Sequence, residues 1–490
     1  MSTSSPDTHL IPRPNRWAVL AILGVAQLMV VLDATIVNIA LPSAQQDLGF
    51  GDDSRQWIVT AYALAFGSLL LLGGRLGDLF GRKRTFVAGA VGFAAASALG
   101  GAAGSFAMLV TARAVQGAFG ALLAPAALSI VSSTFTEPGE RAKAFGIYGA
   151  IAGGGGALGL LLGGILTEYT SWRACLYVNL GFAIPAALAA FALLRNQAPA
   201  TRPRLDVAGV VTASAGLFAL VYGFSKAETA GWGATVTLAC LGAGAVLLAA
   251  FVLIERRVAS PLLPLRVVLD RNRGGAYLAV AMCGAGMFGV FLFLTYYLQQ
   301  TLGFSPVEAG AAFLPMTGCL IAAAGIASHK VTPRVGPKPV IGLGMLLAAA
   351  GMVLLTRVGV ESSYAADVLP SLCIFGVGMG LTMATAMGTA TLGVRAADAG
   401  VASAMVNTGQ QVGGSIGTAV LSTFAATATS NYLHGKTPGP DVLAQAAVHG
   451  YTTAFWISAG IFAAGAILAG GLLKRGVPAA DPAAGPVFAH

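Results

Sequence analysis

Long apolar stretches separated by short polar connections run through the whole chain and predict an all-α integral membrane protein. At a rise of about 1.5 Å per residue, roughly 20 residues of helix cross the hydrocarbon core of a bilayer. Fourteen stretches have about this length, which predicts fourteen transmembrane helices. Their predicted bounds are 17–39, 57–74, 85–104, 108–131, 144–166, 174–194, 206–224, 234–254, 274–298, 307–327, 339–357, 366–388, 401–424 and 449–472.

The distribution of charge predicts how these helices are oriented. Charged residues make up only 10% of the chain, against about 25% in soluble proteins, which argues against a soluble fold. With the N-terminus in the cytoplasm, 22 of the 28 Lys and Arg residues lie in cytoplasmic segments and five lie outside. We therefore expect the tails, 1–16 and 473–490, to be cytoplasmic. The net charge of +9 then belongs to the cytoplasmic face and requires no nucleic-acid partner.

Two sequence matches at nearly the same offset indicate an internal repeat. Residues 45–50 (QQDLGF) resemble residues 299–304 (QQTLGF), and residues 78–83 resemble residues 333–338. The repeat predicts two related six-helix bundles, over 17–194 and 274–472, with two inserted helices over 206–254. Parallel halves of this kind suit alternating access by rocking around a central site.

One acid, Asp33, lies deep inside a predicted span, where an ionised carboxyl group is costly. Such a residue is a candidate proton-binding site, although an acid facing a polar bundle interior without a role is the alternative. Arg113 lies at a similar predicted depth in the fourth span and cannot lose its proton, so it must find acceptors. A nearby Arg113 would favour the ionised form of Asp33. The alternative for Arg113 is a side chain that extends to the outer headgroups.

Four motifs resemble those of the major facilitator superfamily, and specifically its fourteen-span drug:proton antiporter branch. They are LDATIVNIALP at 32–42, GRLGDLFGRKR at 74–84, Arg113 within LVTARAVQGAFG at 109–120, and the glycines of the fifth span. The resemblance implies the major facilitator fold, with Asp33 and Arg113 as the proton-coupling pair. It also implies a cytoplasmic latch in which Asp78 meets a helix N-terminus of the other half. The latch motif comprises Gly74, Asp78, Gly81, Arg82 and Lys83.

The antiporter glycine motif departs from its usual form at one position. It comprises Gly146, Gly155, Gly159, Gly163 and Gly164, but Leu160 stands where the motif usually has proline. Without that proline, any kink in the fifth span is left to the glycines. In the basic motif, Gly74 and Gly81 are expected to bound a short turn between the second and third spans, with Glu137 or Glu140 as possible partners of Arg82.

Polar side chains in other spans are candidates for a substrate cavity or for contacts between helices. They are Gln27, Asn38, Gln116, Asn179, Tyr296, Asn407, Gln410 and Gln411. On a regular helix Gln27 and Asn38 share a face, and Asp33 points away from it. The acids Asp206, Glu308 and Asp367 lie at span ends, where helix caps can hold them.

These features predict a proton-coupled exporter of hydrophobic drugs, antibiotics or secondary metabolites in the bacterial plasma membrane. No phosphate-binding glycine loop, nucleophile elbow or His/Cys metal spacing is present in the sequence, so we expect no enzyme, no metal and no cofactor. The five cysteines are scattered and give no disulfide framework. The expected partners are a lipophilic small molecule, protons and the bilayer, with the monomer as the functional unit. The alternatives are a symporter or uniporter importing a nutrient, and a membrane sensor or assembly subunit without transport activity.

Overall fold

The computed structural model describes residues 15–50, 52–194, 205–437 and 439–477, and these are helical without any β-strand. The first six helices are α1 Arg16–Leu48, α2 Asp52–Phe80, α3 Arg82–Gly101, α4 Phe106–Thr134, α5 Pro138–Tyr169 and α6 Ala174–Leu193. The next three are α7 Val207–Ala230, α8 Thr235–Glu255 and the short α9 Leu265–Val268. The last eight are α10 Arg271–Tyr296, α11 Pro306–Ala312, α12 Leu314–Ile326, α13 Thr332–Val335, α14 Pro337–Leu355, α15 Leu369–Ala390, α16 Ala399–Leu433 and α17 Pro440–Leu472.

Each of the fourteen predicted spans falls on a helix or on a run of helices. Short π-helical turns at Tyr297–Thr301, Ala327–Val331 and Tyr364–Val368 extend neighbouring helices, and α11 to α13 together form one span. Among the described residues, eleven helices are long and apolar enough to cross a membrane, or twelve when the two bent parts of α5 count as one. The two other long helices are α3, rich in Gly and Ala, and α16, which carries Asn407, Gln410 and Gln411. The predicted fourteen-helix fold fits this architecture.

Equivalent helix pairs pack in the two halves, as the sequence repeat predicts. In the first half α4 packs on α2 and α3, while α1 packs on α5 and α6. In the second half α15 packs on α12 and α14, while α10 packs on α16 and α17. The turn glycines correspond as well. Gly49 and Gly303 have φ of 66° and 71°, and Gly81 and Gly336 have φ of 97° and 80°.

The two bundles meet along a seam formed mainly by α2 against α16 and α5 against α12 and α15. We call the end where α1, α3 and α5 begin the basic end, because it carries Arg16, Arg82, Lys83 and Arg84. Near that end, a Cβ atom on Gly146 of α5 would lie 2.6 Å from Oγ of Ser328. Near the other end, a Cβ atom on Gly310 would lie 2.9 Å from the backbone of Leu161. The seam of α5 is therefore closely packed along its length.

The inserted helices form a hairpin that covers one side of the seam. α7 packs against both α2 and α16, whereas α8 packs mainly on α7 and is largely exposed on its other faces. Hydroxyl groups of Thr60 on α2 and Ser225 on α7 lie 3.4 Å apart. The indole Nε1 of Trp232 donates to Thr423 on α16 at 2.8 Å. The hairpin thus contacts both halves of the molecule.

The basic motif is helical, which corrects the expected turn between Gly74 and Gly81. Helix α2 continues to Phe80 and α3 begins at Arg82, so Gly81 alone makes the turn. Gly74 instead allows a close approach to α16, since a Cβ atom there would lie 2.5 Å from the carbonyl oxygen of Gly400. The polypeptide turns in one residue because glycine tolerates a positive φ.

Replacing Gly81 by Ala should destabilise the protein by about 1–3 kcal/mol, because its backbone lies in a region that residues with a Cβ atom rarely adopt. Gly77→Ala is the matched control, because a Cβ atom at Gly77, inside α2, has nothing within 4 Å. That control should be neutral or stabilising by up to about 1 kcal/mol. Thermal unfolding of the purified variants in detergent measures both effects. Equal unfolding temperatures for the two variants would contradict the assigned turn.

Candidate functional site

The Asp33 carboxylate is fully buried inside the first bundle and accepts hydrogen bonds from three side chains. Arg113 donates from Nη1 to Oδ2 at 2.6 Å. Gln116 donates from Nε2 to Oδ1 at 2.8 Å, and Asn179 donates from Nδ2 to the same oxygen at 2.7 Å. The amide groups of Gln116 and Asn179 also lie 3.2 Å and 3.0 Å from Oγ of Ser97. We call these five residues the Asp33 cluster.

Arg113 is held on all sides by the first bundle and is 1% exposed. Its Nη1 also donates to Oε1 of Gln116 at 2.6 Å, and its Nε donates to the carbonyl oxygen of Ile58 at 3.4 Å. Its guanidinium carbon lies 4.4 Å from the ring centroid of Tyr62 on α2. The structure therefore brings the predicted pair, Asp33 and Arg113, into direct contact, and Arg113 does not extend to the surface.

The Asp33 cluster compensates the charge of a buried carboxylate. Three donors converge on the carboxylate, and one of them is a guanidinium group that cannot lose its proton. Among the described residues, no group of three or more His, Cys, Asp or Glu side chains is placed to hold a metal ion.

Apolar side chains lie between the Asp33 cluster and the end opposite the basic end. They line a small cavity beside Arg113 and are Val37, Ala40, Leu41, Ala44, Ile58, Leu109, Trp172 and Leu176. On the far side of these residues, the Asp47 carboxylate accepts hydrogen bonds from Arg173 and from Trp172. The bond from Arg173 holds the pKa of Asp47 below its usual range. Asp47 therefore stays ionised near neutral pH and is poorly suited to carry a proton.

The latch motif connects the two bundles at the basic end. Oδ1 of Asp78 accepts a hydrogen bond from the backbone N–H of Gly400 at 3.1 Å, in the first turn of α16. Arg82 lies 3.8 Å from the same oxygen. Lys83 points elsewhere and donates to the carbonyl oxygen of Phe191 at 2.7 Å. Asp78 thus meets a helix N-terminus of the other half, the contact expected of the motif.

Other basic residues form contacts that the sequence left open. Glu137 and Glu140, suggested as partners of Arg82, instead pair with Arg16 at 3.9 Å and 2.8 Å. Arg141 on α5 donates to Oγ1 of Thr391 at 2.8 Å, which is a second polar contact between the bundles.

The glycine motif lies mainly against α1. A Cβ atom on Gly159 would collide with Thr35, and Cβ atoms on Gly155 and Gly163 would lie 3.0 Å from Val31 and Ile36. Gly146 faces Ser328 across the seam, and Gly164 is buried on α5. The helix bends by 42° between Gly156 and Leu158, although Leu160 replaces the motif proline. The glycines therefore serve close packing of α5 on α1, and the bend forms without proline.

The predicted cavity residues do not form a single group. Gln27 accepts a hydrogen bond from the hydroxyl of Tyr148 on α5 at 2.8 Å, whereas Asp33 faces α4 and α6, as the helix geometry predicts. Gln116 and Asn179 belong to the Asp33 cluster instead. Tyr296 is 40% exposed and packs near Tyr451, away from the seam.

On α16 the predicted polar residues point in different directions. Asn407 donates to the carbonyl oxygen of Ser403 at 3.0 Å. The side chain of Gln411 faces Gly67 on α2 across the seam, while the backbone of Gln410 faces Gly284 on α10. The side chain of Asn38 lies outside the described part of the structure.

Two residues at the site, Ser97 of the Asp33 cluster and Tyr62 beside Arg113, were not predicted from the sequence. Ser97 gave no signal, because hydroxyl side chains in helices usually bond to their own backbone. Tyr62 is one aromatic residue among many in an apolar segment. Their roles follow only from the packing of α2 and α3 on α4.

Comparison with known proteins identifies the family. Two related bundles and an inserted hairpin, with eleven or twelve helices among the described residues long and apolar enough to cross a membrane, define a polytopic membrane protein. A family model described as the Major Facilitator Superfamily matches residues 23–418, and the chain belongs to this superfamily. The superfamily predicted from the motifs is therefore confirmed.

Relatives of this chain include antibiotic resistance and export proteins. The chain is 49% identical over 474 residues to the puromycin resistance protein pur8 of Streptomyces alboniger, covering 96% of this chain and 94% of that protein. It is 38% identical over 418 residues to the cephamycin export protein CmcT of Amycolatopsis lactamdurans, covering 84% and 85%. The solved structure of the human organic anion transporter MFSD10 (TETRAN) matches with a TM-score of 0.64 at 16% identity, covering 93% of this chain and 100% of that one. At this identity the structural match shows the fold alone.

Replacing Arg113 by Ala should destabilise the protein by about 3–5 kcal/mol at neutral pH, because the Asp33 carboxylate is left buried without its cation. The double variant Asp33→Asn/Arg113→Ala should recover part of the loss, because it leaves no buried charge without a partner. Thermal unfolding in detergent compares the wild-type protein with the two variants. A double variant that is no more stable than Arg113→Ala would contradict the pairing.

Proposed function

We propose that this protein is a proton-coupled exporter of hydrophobic antibiotics or other secondary metabolites. It would act by alternating access in the bacterial plasma membrane, with both ends of the chain in the cytoplasm and the monomer as the functional unit. The proton gradient, and no cofactor, would supply the energy. An inward proton gains about 2.3 kcal/mol per 100 mV of membrane potential, in addition to the pH gradient.

The observation that carries this proposal is the fully buried carboxylate of Asp33 bonded to Arg113, Gln116 and Asn179. A purely structural contact needs no titratable group at this depth, where a hydrogen-bonded amide or a hydrophobic pair is cheaper. The names of the relatives, a puromycin resistance protein and a cephamycin export protein, supply the direction and the class of substrate.

Coupling in this proposal passes through α1 rather than through direct competition at one site. Asp33 faces α4 and α6, away from the seam, whereas Gln27 on the same helix faces Tyr148 of α5. The opposite face of α1 at the level of Asp33 contacts Gly159 of α5 through Leu32 and Thr35. Protonation would loosen α1 from α4 and α6, and α5 would transmit that change to the seam.

A lipophilic substrate would enter between the bundles when the seam opens. The seam around the middle of α5 offers mostly apolar contacts, with Leu320, Thr317 and Phe291 facing Gly153, Gly154 and Gly156. Such a surface favours loosely specified hydrophobic compounds over charged ones. Gln411, at the α2 side of the seam, is a candidate polar contact for them.

Two other functions predict different proton movements. An importer that moves substrate with protons would acidify the compartment that the substrate enters. An exporter exchanging substrate for protons would raise the pH of an acidified vesicle lumen when substrate is added outside. A sensor or assembly subunit would move neither. Proteoliposomes containing a pH-sensitive dye, with puromycin as the first compound tested, distinguish the three.

Asp33→Asn should abolish proton-coupled efflux, reducing antibiotic tolerance of an exporter-deficient host to that of the empty vector. Asn nearly keeps the volume and can accept a hydrogen bond from Arg113, but it cannot titrate. Asp441→Asn is the matched control, because Asp441 is an exposed acid in the first turn of α17 and should be dispensable. Full efflux of several compounds by the Asp33→Asn protein, abolished by a protonophore, would rule out Asp33 as the proton carrier.

Replacing Asp78 should open the basic end in a graded manner. Asp78→Asn can still accept a hydrogen bond from Gly400 but loses its charge, whereas Asp78→Ala loses both interactions. Each loss of about 1.4 kcal/mol of stabilisation changes the ratio of molecules closed at the basic end to molecules open there tenfold. A Ser328→Cys reporter, placed in a background without the five native cysteines, faces Gly146 inside the seam.

We expect the reporter to react faster with a thiol reagent in Asp78→Asn and faster still in Asp78→Ala, with turnover falling in the same order. A Leu161→Cys reporter near the other end of α5 is the control and should not react faster. Equal labelling of Ser328→Cys in all three proteins, with turnover still impaired, would contradict the latch.

A further inference from the structure

Two buried carboxyl groups face each other at the basic end of the inserted hairpin. Asp206 precedes α7 and is 8% exposed, and Glu255 ends α8 and is 5% exposed. A Cβ atom on Gly209 would collide with Oδ2 of Asp206 and would lie 2.7 Å from Oε1 of Glu255. Because one Cβ position lies so near both oxygens, the two carboxyl groups are close neighbours.

Every other oxygen of the two carboxyl groups already accepts a backbone hydrogen bond. Oδ1 of Asp206 accepts from the N–H of Gly209 at 2.8 Å. Oε1 and Oε2 of Glu255 accept from the N–H groups of Leu262 and Leu263 at 3.1 Å and 3.0 Å. Oδ2 of Asp206 is buried and has no donor among the described residues. A proton shared with the neighbouring carboxyl group would satisfy this oxygen.

Among the described residues, no Lys or Arg side chain forms an ion pair with either carboxyl group. Arg256 and Arg257 are exposed, and the buried Arg75 of α2 lies beside Asp78. The other cations of this end pair with different acids: Arg266 with Asp398, Arg273 with Asp270, and Arg82 with Asp78. Two adjacent buried carboxylates repel each other strongly, so one of them keeps its proton.

We propose that Asp206 and Glu255 form a second protonation site, which holds a single proton between Oδ2 of Asp206 and Glu255. The site is separate from the Asp33 cluster, since it lies at the basic end of the inserted hairpin. Its ligand is a proton, because the other groups around it are backbone N–H donors, which do not bind a metal ion.

The proton would stabilise the segment between α8 and α10, which connects the inserted hairpin to the second bundle. Glu255 holds Leu262 and Leu263, which pack with Leu71 of α2 and Val401 of α16 in one apolar cluster. Three residues further on, Arg266 bonds Asp398 at 2.6 Å, two residues before Gly400, the partner of Asp78. Loss of the proton would drive Asp206 and Glu255 apart and loosen this connection where the two bundles meet.

Three variants test the site without any transport assay. Asp206→Asn keeps the helix cap and supplies a permanent donor toward Glu255 through its amide group. Asp206→Ser keeps the cap but offers Glu255 no comparable donor. Asp270→Asn is the matched control, because Asp270 caps α10 in the same way and pairs with Arg273 instead of a carboxyl group.

The infrared band of protonated carboxyl groups, recorded on the purified full-length protein, reports the proton directly. At neutral pH we expect Asp206→Asn and Asp206→Ser to lose the intensity of one such group, and Asp270→Asn to keep the wild-type band. Raising the pH should remove the same intensity from the wild-type protein. A wild-type band that is unchanged in both Asp206 variants would overturn the proposal.

Hydrogen–deuterium exchange of the peptide covering residues 256–264 reports the consequence. At one alkaline pH, exchange should be about tenfold faster in Asp206→Ser than in Asp206→Asn, because the latter retains the donor that keeps Glu255 in place. The wild-type protein should resemble Asp206→Asn at neutral pH and approach Asp206→Ser as the pH rises. Equal exchange in the two variants at every pH would show that the proton does not fasten the connection.

Discussion

The first bundle is organised around the need to solvate one carboxylate away from water. Asp33 of α1 is bonded to Arg113 and Gln116 of α4 and to Asn179 of α6, while Ser97 of α3 joins the two amide groups. Four helices therefore share one polar network, and any slip of α1 along its neighbours would leave a buried charge without donors. Because such a loss is expensive, the network fixes the relative positions of these helices more strictly than apolar packing can.

The seam between the bundles depends instead on glycines, which have no side chain and so let the two helix backbones approach closely. Gly74 and Gly400 bring α2 and α16 so close that a Cβ atom on either would meet the backbone of the other. That approach is what places Asp78 within 3.1 Å of the N–H of Gly400. Contacts of small residues and single hydrogen bonds can separate while Asp78 keeps its ion pair with Arg82 of the same bundle, so the seam is the part of the molecule suited to open.

The positions of the helices and the depth of each residue in the membrane could be predicted from the sequence. The direction that each side chain faces around its helix, and its partners on distant helices, could not. Hydropathy located the helices, and the match of residues 45–50 to 299–304 located the repeat, down to the positive φ of Gly49 and Gly303. Counting along the helices placed Asp33 and Arg113 at one depth. The partners of Asp33 depend on which faces of α3, α4 and α6 converge, so the sequence left Gln116 open between a substrate cavity and a contact between helices. Asp206 looked like an ordinary helix cap because nothing in the sequence shows that Glu255 lies beside it.

Helix α2 connects the two regions where charge is buried. Near one end, the carbonyl oxygen of Ile58 and the ring of Tyr62 contact Arg113. Near the other, Leu71 packs with Leu262 and Leu263, and Asp78 bonds Gly400. Ile58 and Asp78 are 20 residues apart, or about 30 Å along a helix. A tilt of α2 that follows a change at Arg113 would therefore reach the latch and the inserted hairpin, so that one rigid helix connects the Asp33 cluster with the contact that closes the basic end.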